Sequence, residues 1–151
     1  MMKFIAVIIS AAIILIASSA SALDLENFNA YAAVFGASEI DLSAADTVGL
    51  YSQIEKDNCE IIFKAYEDEK LSDRVQFIFI TGTGDNFLAY SAAAILHYAP
   101  NGDRINDLGQ LITSYLLARD NAGPHQGKIS SGDYFSIEKQ EDGKFLFMIG
   151  E

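Results

Sequence analysis

Two histidines and one cysteine are the side chains of this sequence that most readily serve as base or nucleophile near neutral pH. His125 stands in Gly123-Pro124-His125-Gln126-Gly127, a loop sequence, and loops held on a rigid scaffold often carry function. Ser130-Ser131-Gly132-Asp133 follows shortly after. An imidazole base, a carboxylate that orients it and a hydroxyl that attacks are the parts of a nucleophilic hydrolase. The sequence therefore offers one catalytic arrangement, with His125 as base, Asp133 orienting it and Ser130 or Ser131 as nucleophile. Nearness along the chain is all that joins them.

The other reactive groups point to structural roles. Cys59 opens an alternating apolar stretch in an acidic chain, whereas a reactive thiol needs a partly exposed, electropositive setting; a buried side chain is expected. Thr81-Gly82-Thr83-Gly84-Asp85-Asn86 lies between an apolar strand and a helix, where a phosphate cradle would sit. Phe87 occupies the place of the last glycine of a dinucleotide loop, no Gly-Lys-Ser/Thr ending follows, and Asp85 would repel a phosphate. A turn and a helix start are expected instead. His97 and His125 lack the spacing of paired metal ligands, and Glu67-Asp68-Glu69 with Asp73 lacks that of a calcium loop. Neither a metal site nor a cofactor is expected.

Aromatic residues are spread over every predicted element, and most belong in the core. Tyr51, Tyr66 and Tyr134 fall near strand ends. Tyrosine suits a surface with one apolar and one wet side, so these three are the candidates for a ligand or partner contact patch.

The start of the chain addresses location. Lys3 precedes the apolar run Phe4–Ile16, and Ala17-Ser18-Ser19-Ala20-Ser21-Ala22 supplies small residues with an A-x-A ending. Charge, apolar core and small-residue exit describe a cleavable secretory signal over residues 1–22, cut between Ala22 and Leu23. A bilayer span needs about 20 apolar residues, more than this run offers, so no stable membrane insertion is expected after cleavage. The remainder, residues 23–151, is expected to form one domain in the periplasm or outside the cell. A single cysteine allows no internal disulfide.

Charge narrows the partners. The chain has 10 Lys and Arg against 21 Asp and Glu, a net charge of −11, and loses Lys3 with the leader. Nucleic acid and anionic lipid would repel it. A protein partner or a small cationic ligand remains compatible.

The elements that must position these residues follow from apolar period. Leu25, Phe28, Ala32 and Phe35 predict a helix over Leu25–Phe35, and Leu42–Ala45 one further turn. From Val48 the period is two, through Ile54, with a turn at Lys56-Asp57-Asn58 and a returning strand Cys59–Tyr66. Arg74–Thr81 is a third strand whose Phe77-Ile78-Phe79-Ile80 core is apolar on both faces, which predicts a central position. Phe87–Tyr98, capped by Asp85 or Asn86 and stopped by Pro100, and Ile105–Ala118 form a helix pair. Tyr134–Lys139 and Lys144–Ile149, joined by Gln140-Glu141-Asp142-Gly143, form a hairpin.

The order α-β-β-β-α-α-β-β, with short connections, predicts an α+β domain. Its antiparallel sheet has about five strands, with an N-terminal helix and a central helix pair packed on it. In element order alone this resembles secretion-chaperone domains; no residue motif accompanies the likeness, and fold carries no function. Export, acidity and the lack of converging catalytic groups predict a non-enzymatic binding or protein-interaction domain, with the His125-centred hydrolase as the alternative.

Overall fold

In the computed structural model, which describes residues 25–41, 51–68 and 75–150, the change of apolar period becomes a change of element. Helix α1 spans Leu25–Val34 and is followed by strands β1 (Tyr51–Lys56), β2 (Cys59–Ala65) and β3 (Val75–Gly82). Helices α2 (Gly84–Tyr98) and α3 (Arg104–Asp120) come next, then β4 (His125–Lys128), β5 (Tyr134–Lys139) and β6 (Phe145–Gly150). The predicted leader, its cut between Ala22 and Leu23, and the turn at Leu42–Ala45 lie outside the described residues.

The fold is α+β. All six described strands form one antiparallel sheet in the order β1-β2-β3-β6-β5-β4. Two three-stranded meanders thus meet at β3 and β6, and the α2–α3 pair connects them. One strand exceeds expectation. His125–Lys128 reads as loop because it is four residues long, polar and contains Gly127, yet it pairs with β5 as an edge strand. Gly127 is needed there, because a Cβ would run into the Phe135 ring opposite.

Alternation decides which face is core. Cys59, Ile61, Phe63 and Ala65 of β2 are buried, as are Ile78 and Ile80 of β3, Phe135 and Ile137 of β5, and Phe145, Phe147 and Ile149 of β6. The helices cover this face. Phe28 of α1 meets Phe63 edge-on with centroids 5.2 Å apart, and Phe87 of α2 and Tyr115 of α3 both contact the Phe145 ring. Helix α2 is buried from Phe87 through Tyr98, as befits a helix apolar on nearly all sides.

Local chemistry sets the boundaries. The β1–β2 hairpin turns on Asp57 and Asn58, both at positive φ (52° and 61°), the geometry that Asx residues tolerate and a two-residue hairpin loop needs. Asp103 caps α3 by accepting from the Asn106 N–H at 3.0 Å. Helix α2 departs from expectation: its cap position is Thr83, not Asp85 or Asn86, and the Asn86 side chain reaches away to the Asp57 carbonyl.

Asn29 ties the chain after α1 to that helix. Its amide accepts from Ile40 N–H at 2.9 Å and donates to Ile40 C=O at 3.0 Å, replacing a strand partner with a side chain. Among the described residues no helix is long and apolar enough to cross a membrane.

Candidate functional site

The serine-rich loop between β4 and β5 is engaged, though not in the arrangement predicted. Ser131 Oγ donates to Asp133 Oδ2 at 2.7 Å on the surface. Ser130 Oγ donates to the buried carboxylate of Asp107 and accepts from the Asp103 N–H at 3.0 Å. His125 lies at the other end of β4, roughly 10 Å along the strand. It pairs in register with the buried Ile137, and its Nε2 is enclosed without a hydrogen-bond partner among the described residues. The structure therefore brings Ser131 and Asp133 together, assigns Ser130 to Asp107, and joins His125 to none of them.

Cys59 is equally constrained. It is 2 % exposed, and burial followed by the nearby Asp57 carboxylate pushes its thiol up to about 11. A side chain at Gly82 would come within 2.6 Å of its sulfur. Beside it, hydrogen bonds from Ser38 hold the Asp57 carboxyl below its ordinary range, and the Tyr90 hydroxyl lies 3.1 Å from the same oxygen and 2.9 Å from Ser38 C=O. Burial and Asp57 in turn push the Tyr90 phenol upward. This cluster locks the hairpin tip to α2 and to the segment after α1.

The opposite face of the sheet is different in kind. No described helix covers it, yet its residues are not those of an ordinary wet surface. Register arranges them in three rows across the strands. The first runs Tyr51, Lys64, Phe77, Gly150, Tyr134, Lys128. The second runs Gln53, Ile62, Phe79, Met148, Ser136, Gln126, and the third Glu55, Glu60, Thr81, Leu146, Glu138. Ile62, Phe79 and Met148 are consecutive neighbours, so an apolar band occupies the centre of the face.

Two lysines of the first row reach over aromatic neighbours. Lys64 Nζ is 5.9 Å from the Phe77 ring centroid, and Lys128 Nζ is 5.2 Å from that of Tyr134. The Phe77 ring lies over Gly150, where any Cβ would collide with it. Tyr134 is 55 % exposed and Met148 40 %, large values for side chains of this size. The third row is acidic, and recesses of about 460 and 580 Å³ flank it beside the β1–β2 and β5–β6 turns. Among the described residues no three His, Cys, Asp or Glu side chains are grouped to hold a metal ion.

Of the three tyrosines proposed for a contact patch, Tyr134 stands on this face and Tyr51 shares its row in the register. Tyr66 follows the end of β2 and is half-buried. Phe77, Phe79 and Met148 do not stand out as contact residues in the sequence, because an apolar residue in a strand reads as core. The doubly apolar run of β3 carried the signal. It marks both faces as apolar, and the described helices cover one of them.

No family model matches the chain, and no match was found among curated proteins or solved structures.

Proposed function

We propose that the chain is an exported, non-enzymatic interaction domain that engages a protein partner through the sheet face that no described helix covers. One observation carries this reading: Ile62, Phe79 and Met148 form a contiguous apolar band on a face that no described helix covers. A band left partly open in this way, with Ile62 and Phe79 half-buried and Met148 exposed, costs solubility unless a partner covers it. The surrounding composition has the form of an interface, with aromatic residues and methionine at the centre and charged groups on the rim. The leader read from residues 1–22 supports placing this interaction in the periplasm or outside the cell.

Native mass spectrometry of the protein taken gently from its host tests the reading, with Met148→Arg run beside the wild type. A bound species that the variant loses supports it. A wild-type protein that carries nothing, or a complex that Met148→Arg leaves intact, refutes it.

A further inference from the structure

The charge layout of the face that no described helix covers points to its occupant. The first row carries Lys64 and Lys128, the third carries Glu55, Glu60 and Glu138, and the apolar band lies between them. Charge therefore reverses sign along the strands, about the middle of the face. Such a surface is complementary to itself turned end for end, as a two-fold interface requires.

Building on the reading of this face as an interaction surface, we propose that its partner is a second copy of this chain. The two sheets pack face to face about a two-fold axis that runs across the strands, above the Ile62–Phe79–Met148 row. That operation lays each strand over its own counterpart in the opposite direction. Lys64 of one copy comes over Glu60 of the other, and reciprocally, because both stand on β2 two residues from Ile62 on opposite sides. Tyr134 meets Glu138 on β5, with Lys128 on the adjacent strand within reach of the same carboxylate.

On β6 the operation brings Leu146 of one copy over Gly150 of the other, where it meets the face of the Phe77 ring that lies across that glycine. Stacked sheets lie about 10 Å apart and roughly 30° from alignment, a rotation that long Lys and Glu side chains can absorb. Six strands of about six residues make a face of roughly 600 Å² in projection, near the ~800 Å² per partner of a standard interface once side-chain relief is added. The net negative charge of each copy opposes association at long range, but salt screens that repulsion beyond about 8–10 Å.

Sedimentation equilibrium of the purified protein, with a charge-swap series, tests the assembly. The wild type is expected to be dimeric at about 10 μM, the weak end for an interface of this size. Lys64→Glu alone and Glu60→Lys alone should each weaken the dimer at least tenfold, since each sets like charges opposite one another. Lys64→Glu combined with Glu60→Lys should restore it, with circular dichroism confirming an unchanged fold throughout. A wild type that stays monomeric at about 100 μM overturns the proposal, and so does a dimer indifferent to the swaps. A monomer that nevertheless loses a foreign host partner on Met148→Arg overturns the second copy while leaving the interaction face standing; a monomer with no host partner overturns both.

Discussion

Asp107, fully buried in the first turn of α3, receives both the backbone N–H and the hydroxyl of Ser130, a residue 23 positions later on the loop between β4 and β5. The two donors fix that loop onto the helix, and Gly102 must lack a side chain because a Cβ there would strike the Ser130 hydroxyl. A hydroxyl held between a carboxylate and the Asp103 N–H is a structural tie. Ser130→Ala should cost about 1–3 kcal/mol, since it strips a donor from a buried carboxylate and an acceptor from the N–H. Denaturant unfolding measures this, and a change within the error of the wild-type curve would contradict the assignment.

Cys59 should be inert in the folded protein. With its thiol pushed up to about 11, only about one molecule in a thousand carries a thiolate at pH 8. Alkylation at that pH is expected to follow unfolding, with full labelling in denaturant and little without it. The raised thiol also links stability to pH. Its contribution is complete below the ordinary thiol value near 9 and falls away as pH rises toward about 11. A Cys59→Ala variant should lose that part of the alkaline decline, which thermal melts from pH 8 to 11 would show.

Gly82 and Cys59 should be energetically coupled. Alanine at Gly82 places a methyl 2.6 Å from the Cys59 sulfur, an overpacking that costs about 1–3 kcal/mol. In a Cys59→Ala background the sulfur is gone, and Gly82→Ala should cost markedly less. A double-mutant cycle with no coupling would mean that the strand accommodates the extra methyl in another way.

The Asp57 cluster gives the opposite pH dependence. Hydrogen bonds from Ser38 hold the carboxyl below its ordinary range, so its stabilisation is present above the unfolded value near 4 and is lost as pH falls through the lower folded value. The stability gap between wild type and Asp57→Asn should therefore be constant at neutral pH and close in acid. A gap unchanged down to pH 2 would remove the carboxylate from the account.

Much of this architecture is legible in the sequence. The alternation of Cys59, Ile61, Phe63 and Ala65 identifies β2 and its buried face, and Asp57-Asn58 and Asp142-Gly143 mark the two hairpin turns. Strand β4 is hidden because four polar residues give no period, and its pairing depends on β5 arriving opposite. The cap of α2 shifts to Thr83 because Asn86 serves the Asp57 carbonyl, a contact 29 residues away that no local pattern records. Phe77 and Phe79 are visible as apolar, but whether a strand face is covered depends on how many layers assemble over it. Ser131 and Asp133 are close in sequence and meet, whereas His125 is separated from them by the length of its own strand.

Met148 offers the most direct test of the central claim, because the other methionines, Met1 and Met2, both belong to the predicted leader. Its side chain stands at the middle of the face that no described helix covers and is 40 % exposed. Peroxide oxidation of Met148, followed by mass spectrometry, can be timed in the native host extract and again in purified protein diluted far below micromolar concentration. A covered face predicts slow oxidation in the extract and fast oxidation on dilution. Equal, fast oxidation in both would show that nothing covers this face and would contradict its role as the interaction surface.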